Sequence, residues 1–252
     1  MRQNDKISRS FHSGEVRCKN NCQYCFSIWK DAPVFLKSLP TASVTEKLIV
    51  YPVCDSEALL QNETFWKSVS DFLLTNKNSV ISISTKSVWT DEKLSFIGKL
   101  ISGLPQPGIK LGISLSCKNH VSKIEPNAAS YSQRIEMLRR IEAFGIPHNV
   151  MLKPLLPFVP VSEYCQIIND CLPYCRDFVV GDLYVEKDSL FVLKFGLDVY
   201  RIQERYCDWM GRSALVIEHP HRDEIIECLH RVANAYESDV DFCNMLFNNR
   251  CK

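Results

Sequence analysis

The chain has 252 residues, enough for one large core, and its 46% hydrophobic and 23% charged residues are ordinary for a globular protein. A formal net charge of +1, from 30 basic residues against 29 acidic, excludes a global field that recruits nucleic acid or an anionic membrane, although a local basic groove stays open. The polar run RQNDKISRS after Met1 is no secretion signal, and no run of about 18 apolar residues occurs, so neither export nor a membrane span is expected. Twelve cysteines in this setting read as reduced cytoplasmic thiols, some of them binding metal, rather than as a disulfide framework.

In chain order, a short strand is expected just before Cys18 and a helix just after Cys25. KLIVY (47–51) reads as a buried strand, and the helix after it carries Phe65, Trp66, Val69, Phe72 and Leu73 on one face. SVISIS (79–84) is the next strand; Thr90 caps a helix whose stripe of Leu94, Ile97, Leu100 and Ile101 stops at Gly103. IKLGISL (109–115) leads to a helix with Ile135, Leu138 and Ile141 inward, ending at Gly145. HNVMLK (148–153), a helix near 162–172 and DFVVGDLYV (177–185) complete six strands with five crossovers. KPLLPFVP (153–160) reads as a rigid loop leaving a strand end.

Such alternation predicts an α/β fold, a partial (β/α)6 barrel with a parallel sheet and right-handed crossovers. Residues 186–252 break the rhythm. They hold a strand candidate, ALVIEH (214–219), and a helix from about 222 to 236, and read as a C-terminal α/β extension packed on a core of residues 1–185. The charges at 134–140 and 201–205 read as solvated helix faces.

The run VRCKNNCQYCFSIW (16–29) sets Cys18, Cys22 and Cys25 in C-x3-C-x2-C spacing. Structural zinc needs four ligands, and the nearest candidates for a second pair, Cys171 and Cys175, make a poor knuckle at a helix end. A four-iron cluster takes soft thiolates, normally one per iron, so three cysteines on one loop leave one iron open for chemistry.

That loop, with aromatics on both sides of its last cysteine (CQYCF) and a strand before it, resembles the radical S-adenosylmethionine superfamily over about residues 10 to 185. The resemblance implies a [4Fe–4S] cluster on Cys18, Cys22 and Cys25, its fourth iron chelated by S-adenosylmethionine. It further implies reductive cleavage to methionine and a 5′-deoxyadenosyl radical that abstracts hydrogen from a substrate, with an external donor of flavodoxin or ferredoxin type. YPVCDSE (51–57) stands where the family has a Gly-Gly-Glu-like stretch; Asp55, Ser56 and Glu57 offer acceptors for an ammonium, but the glycines are absent. With ISISTKS (81–87), GISLSC (112–117), residues 124–146 and MLKPLLPFVP (151–160), this departure is similar to the spore photoproduct lyase branch.

The same resemblance implies Lys86 on the methionine carboxylate with Ser114 or Ser116, Phe26 near the adenine, and Arg134 toward the carboxylate or ribose. Cys54 takes the place of a hydrogen-atom donor, and Gly181 and Asp182 are weaker cofactor or substrate candidates. Plainer readings stand beside these: a solvated loop charge for Lys86, turn-satisfying serines, a core Phe26, a surface Arg134, and Cys54 as a small buried apolar group. The expected activity is that of a radical enzyme, of lyase or transferase type, acting on a nucleoside, nucleotide or nucleic-acid base. The competing reading is a non-catalytic redox sensor or partner protein that holds the cluster and S-adenosylmethionine.

Overall fold

The structure, a computed structural model, describes residues 7–40, 47–104, 108–207 and 209–237. Strands β1 (Ile7–Phe11), β2 (Lys47–Tyr51), β3 (Ser79–Thr85), β4 (Gly108–Ser114), β5 (His148–Leu152) and β6 (Asp177–Val180) pair in parallel, each with the next. A smaller antiparallel sheet, in the order β7–β9–β8, holds β7 (Leu183–Val185), β8 (Ile202–Cys207) and β9 (Arg212–Ile217). The chain then returns: β10 (Asn234–Tyr236) pairs in parallel with β6 and completes a seven-stranded curled half-barrel.

Helices α1 (Glu63–Thr75), α2 (Asp91–Ser102), α4 (Tyr131–Ala143) and α5 (Val161–Cys171) form the crossovers, with a single turn, α3 (Val121–Ile124), ahead of α4. Their starts are written in the sequence. Asn62 accepts from Phe65 N at 2.9 Å, Thr90 from Lys93 N at 3.2 Å, and Ser130 with Gln133 forms a reciprocal capping box. The α1 stripe of Phe65, Trp66, Val69, Phe72 and Leu73 is buried, each such side chain contributing about 1.5–3 kcal/mol of transfer free energy. All seven residues of β4 are buried, as expected of a strand covered on both faces. On α4 the buried face is Arg134, Met137, Leu138 and Ile141, which leaves Ile135 at its margin.

Several expectations need correction. Strand β1 ends at Phe11, well ahead of Cys18, and only a three-residue 3-10 turn, Phe26–Ile28, follows Cys25. Pro33 and the lack of an apolar stripe leave that stretch nothing to nucleate a helix, and among the described residues the β1–β2 crossover carries no α-helix. DFVVGDLYV is two strands, not one: the chain leaves the half-barrel at Gly181–Asp182 and joins the small sheet with β7. The charges at 201–205 lie largely on β8, where exposure alternates with the two-residue period of a strand. The helix expected to reach residue 236 is α7 (Arg222–His230), because Asn234–Tyr236 pair with the edge of β6 instead. A short helix, α6 (Leu190–Lys194), lies between β7 and β8. Cys243 and Cys251 lie outside the described residues.

Candidate active site

The C-terminal ends of the parallel strands open on one cavity of about 660 Å³, the end of such sheets where ligands bind. Cys18, Cys22 and Cys25 line one side of it. Their loop is clamped from two directions. Toward β2, Cys54 N donates to His12 O at 2.8 Å and Cys18 N to Asp55 O at 3.4 Å. Toward the segment before α4, Gln23 N donates to Ile124 O at 2.9 Å and Asn127 N to Asn20 O at 3.2 Å. The sequence YPVCDSE shapes the first clamp. Asp55 accepts from Ser13 Oγ at 2.9 Å and from Gly14 N at 3.0 Å, while the Ser56 hydroxyl donates to Val16 O and accepts from Gln61 Nε2. Glu57 is buried and accepts from Asn20 Nδ2 at 3.3 Å, from Lys86 N at 3.2 Å and from the Thr85 hydroxyl. Burial pushes its carboxyl above the ordinary range, against the pull of these donors.

A second group of charges centres on Glu125, which falls within residues 124–146 but carried no signal of its own in the sequence. Its side chain is 1% exposed, accepts from the Tyr24 hydroxyl and the Arg134 guanidinium, and lies 3.9 Å from Lys86 Nζ. Burial works to raise the Glu125 carboxyl, but Lys86 and Arg134 outweigh it and hold it below its ordinary value. Arg134 is not on the surface. It is fully buried, its other donors go to Ala129 O at 2.8 Å and Ser114 O at 3.0 Å, and it does not line the cavity. Ser116 is likewise behind the wall, bonded to the Tyr24 hydroxyl at 2.9 Å. Lys86, 18% exposed, does line the cavity, and burial, which works to lower its ammonium, is outweighed by Cys22 and Glu125. Ser114 also lines the cavity, and its buried hydroxyl has no hydrogen-bond partner among the described residues.

Cys54 lines the same wall at the end of β2, its thiol donating to Tyr51 O at 3.3 Å. Burial pushes that thiol up to about 12, so it stays protonated near neutrality. Phe26 lies edge-on to Trp209 at 4.8 Å and to Phe35 at 5.9 Å, so the aromatic beside the cysteine loop is shared with the small sheet's connecting turn.

The facing wall comes from the strand ends of β5 and β6 and from the C-terminal sheet. Gly181 lets the Lys153 stem pass: a Cβ there would lie 2.7 Å from Lys153 Cδ. Buried Asp182 bridges two guanidiniums, Arg205 at 2.8 Å and Arg222 at 3.2 Å, which reach on to Glu218 and Glu237. Apart from Gly181 and Asp182, these residues carried no signal for the site in the sequence, because β8, β9 and α7 are distant from the cysteine loop along the chain and meet it only through the fold.

Do these residues fit an iron–sulfur cluster and S-adenosylmethionine? Among the described residues no three His, Cys, Asp or Glu side chains converge as ligands of one metal ion. A four-iron cube asks instead for one thiolate on each of three irons, and three thiols on one clamped loop facing a cavity meet that demand. A cation at Lys86 and an unpartnered Ser114 hydroxyl on the same cavity suit a carboxylate-bearing ligand. The donor set fits.

No protein-family model and no curated protein matches the sequence. Among solved structures, a tyrosine-to-phenylalanine variant of spore photoproduct lyase aligns with TM-score 0.60 and 11% identity, covering 91% of this chain and 81% of that one. A cysteine-to-alanine variant of the same enzyme with dinucleoside spore photoproduct aligns with TM-score 0.61 and 12% identity, covering 89% and 73%. A doubly substituted variant with bound AdoMet and dinucleoside spore photoproduct gives 0.53 and 12%, over 75% and 60%. The likeness is one of fold: this chain shares the architecture of the spore photoproduct lyase structures over about nine-tenths of its length.

Proposed function

We propose that the protein is a radical S-adenosylmethionine enzyme holding a [4Fe–4S] cluster on Cys18, Cys22 and Cys25. The observation that carries this reading is the shared cavity: the three thiols, Lys86, the unpartnered Ser114 hydroxyl and Cys54 all border it, on the fold described above. When bound, the cluster and S-adenosylmethionine supply one-electron cleavage to a 5′-deoxyadenosyl radical.

This chain's own residues bind, orient and return hydrogen. Lys86 pairs with the carboxylate of S-adenosylmethionine as a point charge, and Ser114 donates to the same group. Glu125 keeps Lys86 charged and in place, with Arg134 holding Glu125 from behind. Asp55, Ser56 and Glu57 have protein partners of their own, so their part is to shape the loop, and Glu57, which lines the cavity, would also accept from the ammonium of S-adenosylmethionine. Phe26 packs the rim on the adenine side. Cys54, kept as a thiol by burial, has the S–H bond that a hydrogen-atom donor needs. The substrate class this reading favours is a nucleoside, nucleotide or nucleic-acid base, held against the Arg205–Asp182–Arg222 wall.

Anaerobic reconstitution with iron and sulfide tests the proposal. The expected results are thiolate–iron absorption near ~400 nm, lost in Cys22→Ala, and 5′-deoxyadenosine formed from S-adenosylmethionine under dithionite. A colourless protein overturns the cluster. A coloured protein that makes no 5′-deoxyadenosine favours the sensor over the enzyme.

A further inference from the structure

Two cysteines that do not line the cavity stand out from the roles assigned above. Cys165 lies on α5 and Cys228 on α7, and their sulfurs are 3.0 Å apart. Both are partly exposed, unlike Cys117, Cys171, Cys175 and Cys207, which are buried. Helices α5 and α7 pack against each other, and Ile168 on the first and Ile225 and Leu229 on the second are fully buried, so the approach of the thiols is built on a packed helix pair. Two sulfurs at this separation are inside van der Waals contact and about 1 Å from bonding distance. The thiols sit at part-exposed positions, so an oxidant reaches them without unfolding the core.

We propose that Cys165 and Cys228 are a disulfide-forming modification site, oxidised by a small-molecule disulfide such as oxidised glutathione. One protein thiolate attacks a sulfur of oxidised glutathione and expels a glutathione thiolate. The second protein thiolate then attacks the protein sulfur of that mixed disulfide and expels the second. One S–S bond forms in the protein as one breaks in the oxidant, and the two protons leave with two molecules of reduced glutathione.

The bond joins the C-terminal extension to the half-barrel. Cys228 is six residues, roughly 9 Å along the helix axis, from Arg222, the first residue of α7 and a member of the cavity's charged wall. Oxidation therefore pins the helix that carries Arg222 onto α5, which precedes β6 and its Gly181–Asp182 exit.

The test uses the protein as isolated, kept anaerobic and treated with oxidised glutathione, then alkylated and digested without reduction. A peptide cross-linked through Cys165 and Cys228 is expected, with a rise in Tm of about 5–10 °C that reductant reverses and that neither Cys165→Ser nor Cys228→Ser shows. Separate glutathionylation or alkylation of the two thiols with no cross-linked peptide overturns the proposal. So does a cross-link from either cysteine to another partner, or an equal Tm rise in the serine variants.

Discussion

The two walls of the cavity are held in different ways. Behind the cysteine side the charges are few and enclosed: Glu125 and Arg134 are each 1% exposed, and besides each other they are satisfied by the Tyr24 hydroxyl and by the carbonyls of Ala129 and Ser114. On the far side a chain of alternating charge runs Glu218, Arg205, Asp182, Arg222, Glu237, and only Asp182 within it is buried, with Arg205 40% and Glu218 43% exposed. Enclosed pairs interact strongly and tolerate no missing partner; half-exposed ones are screened and exchange partners with water at little cost. The first wall suits a ligand of fixed shape, and the second can open its ion pairs to a substrate.

The largest effect expected from breaking this contrast is at Glu125. Glu125→Ala strands two cations, one of them fully buried, and should cost about 3–5 kcal/mol in denaturant unfolding. Lys86→Met leaves the fold intact and should weaken S-adenosylmethionine binding about 10–100-fold by calorimetry, the worth of one charge-assisted hydrogen bond. Asp182→Asn sharpens the comparison from the other wall. Substrate-free formation of 5′-deoxyadenosine should stay within about twofold, while KM for the substrate rises about tenfold. A fall in the first quantity as large as the rise in the second would mean that the walls are not separate. The smallest effect concerns Cys54. An ordinary thiol loses its proton through about pH 8.5. With its thiol pushed up to about 12, product partitioning that depends on Cys54 should stay flat between about pH 7 and pH 10. Cys54→Ala should shift that partitioning toward side products at every pH.

Most of the half-barrel was readable from local pattern. KLIVY, SVISIS and HNVMLK are short apolar runs between caps and glycines, and their strands fall where those runs stand. The errors cluster where a residue's partner is remote. Arg134 read as a contact to the cofactor's carboxylate or ribose, or else as a surface charge, because nothing nearby in sequence announces its burial against Glu125 and Ser114. Residues 201–205 read as a helix face because charge alone does not separate periods of two and 3.6; the pairing of β8 with β9 does. Gly181–Asp182 fell inside what read as one strand, because nothing local marks it as the point where the chain changes sheets.

By itself, the sequence determined the thiol loop and the order of strands and helices, since spacing, caps and apolar period act over a few residues. Tertiary structure alone decided which charges are enclosed. Closing the half-barrel brings Lys86 to Glu125, sets Arg222 beside Asp182, and turns β10 back onto β6. Burial and pairing of charge depend on packing between segments tens of residues apart, which no local pattern encodes.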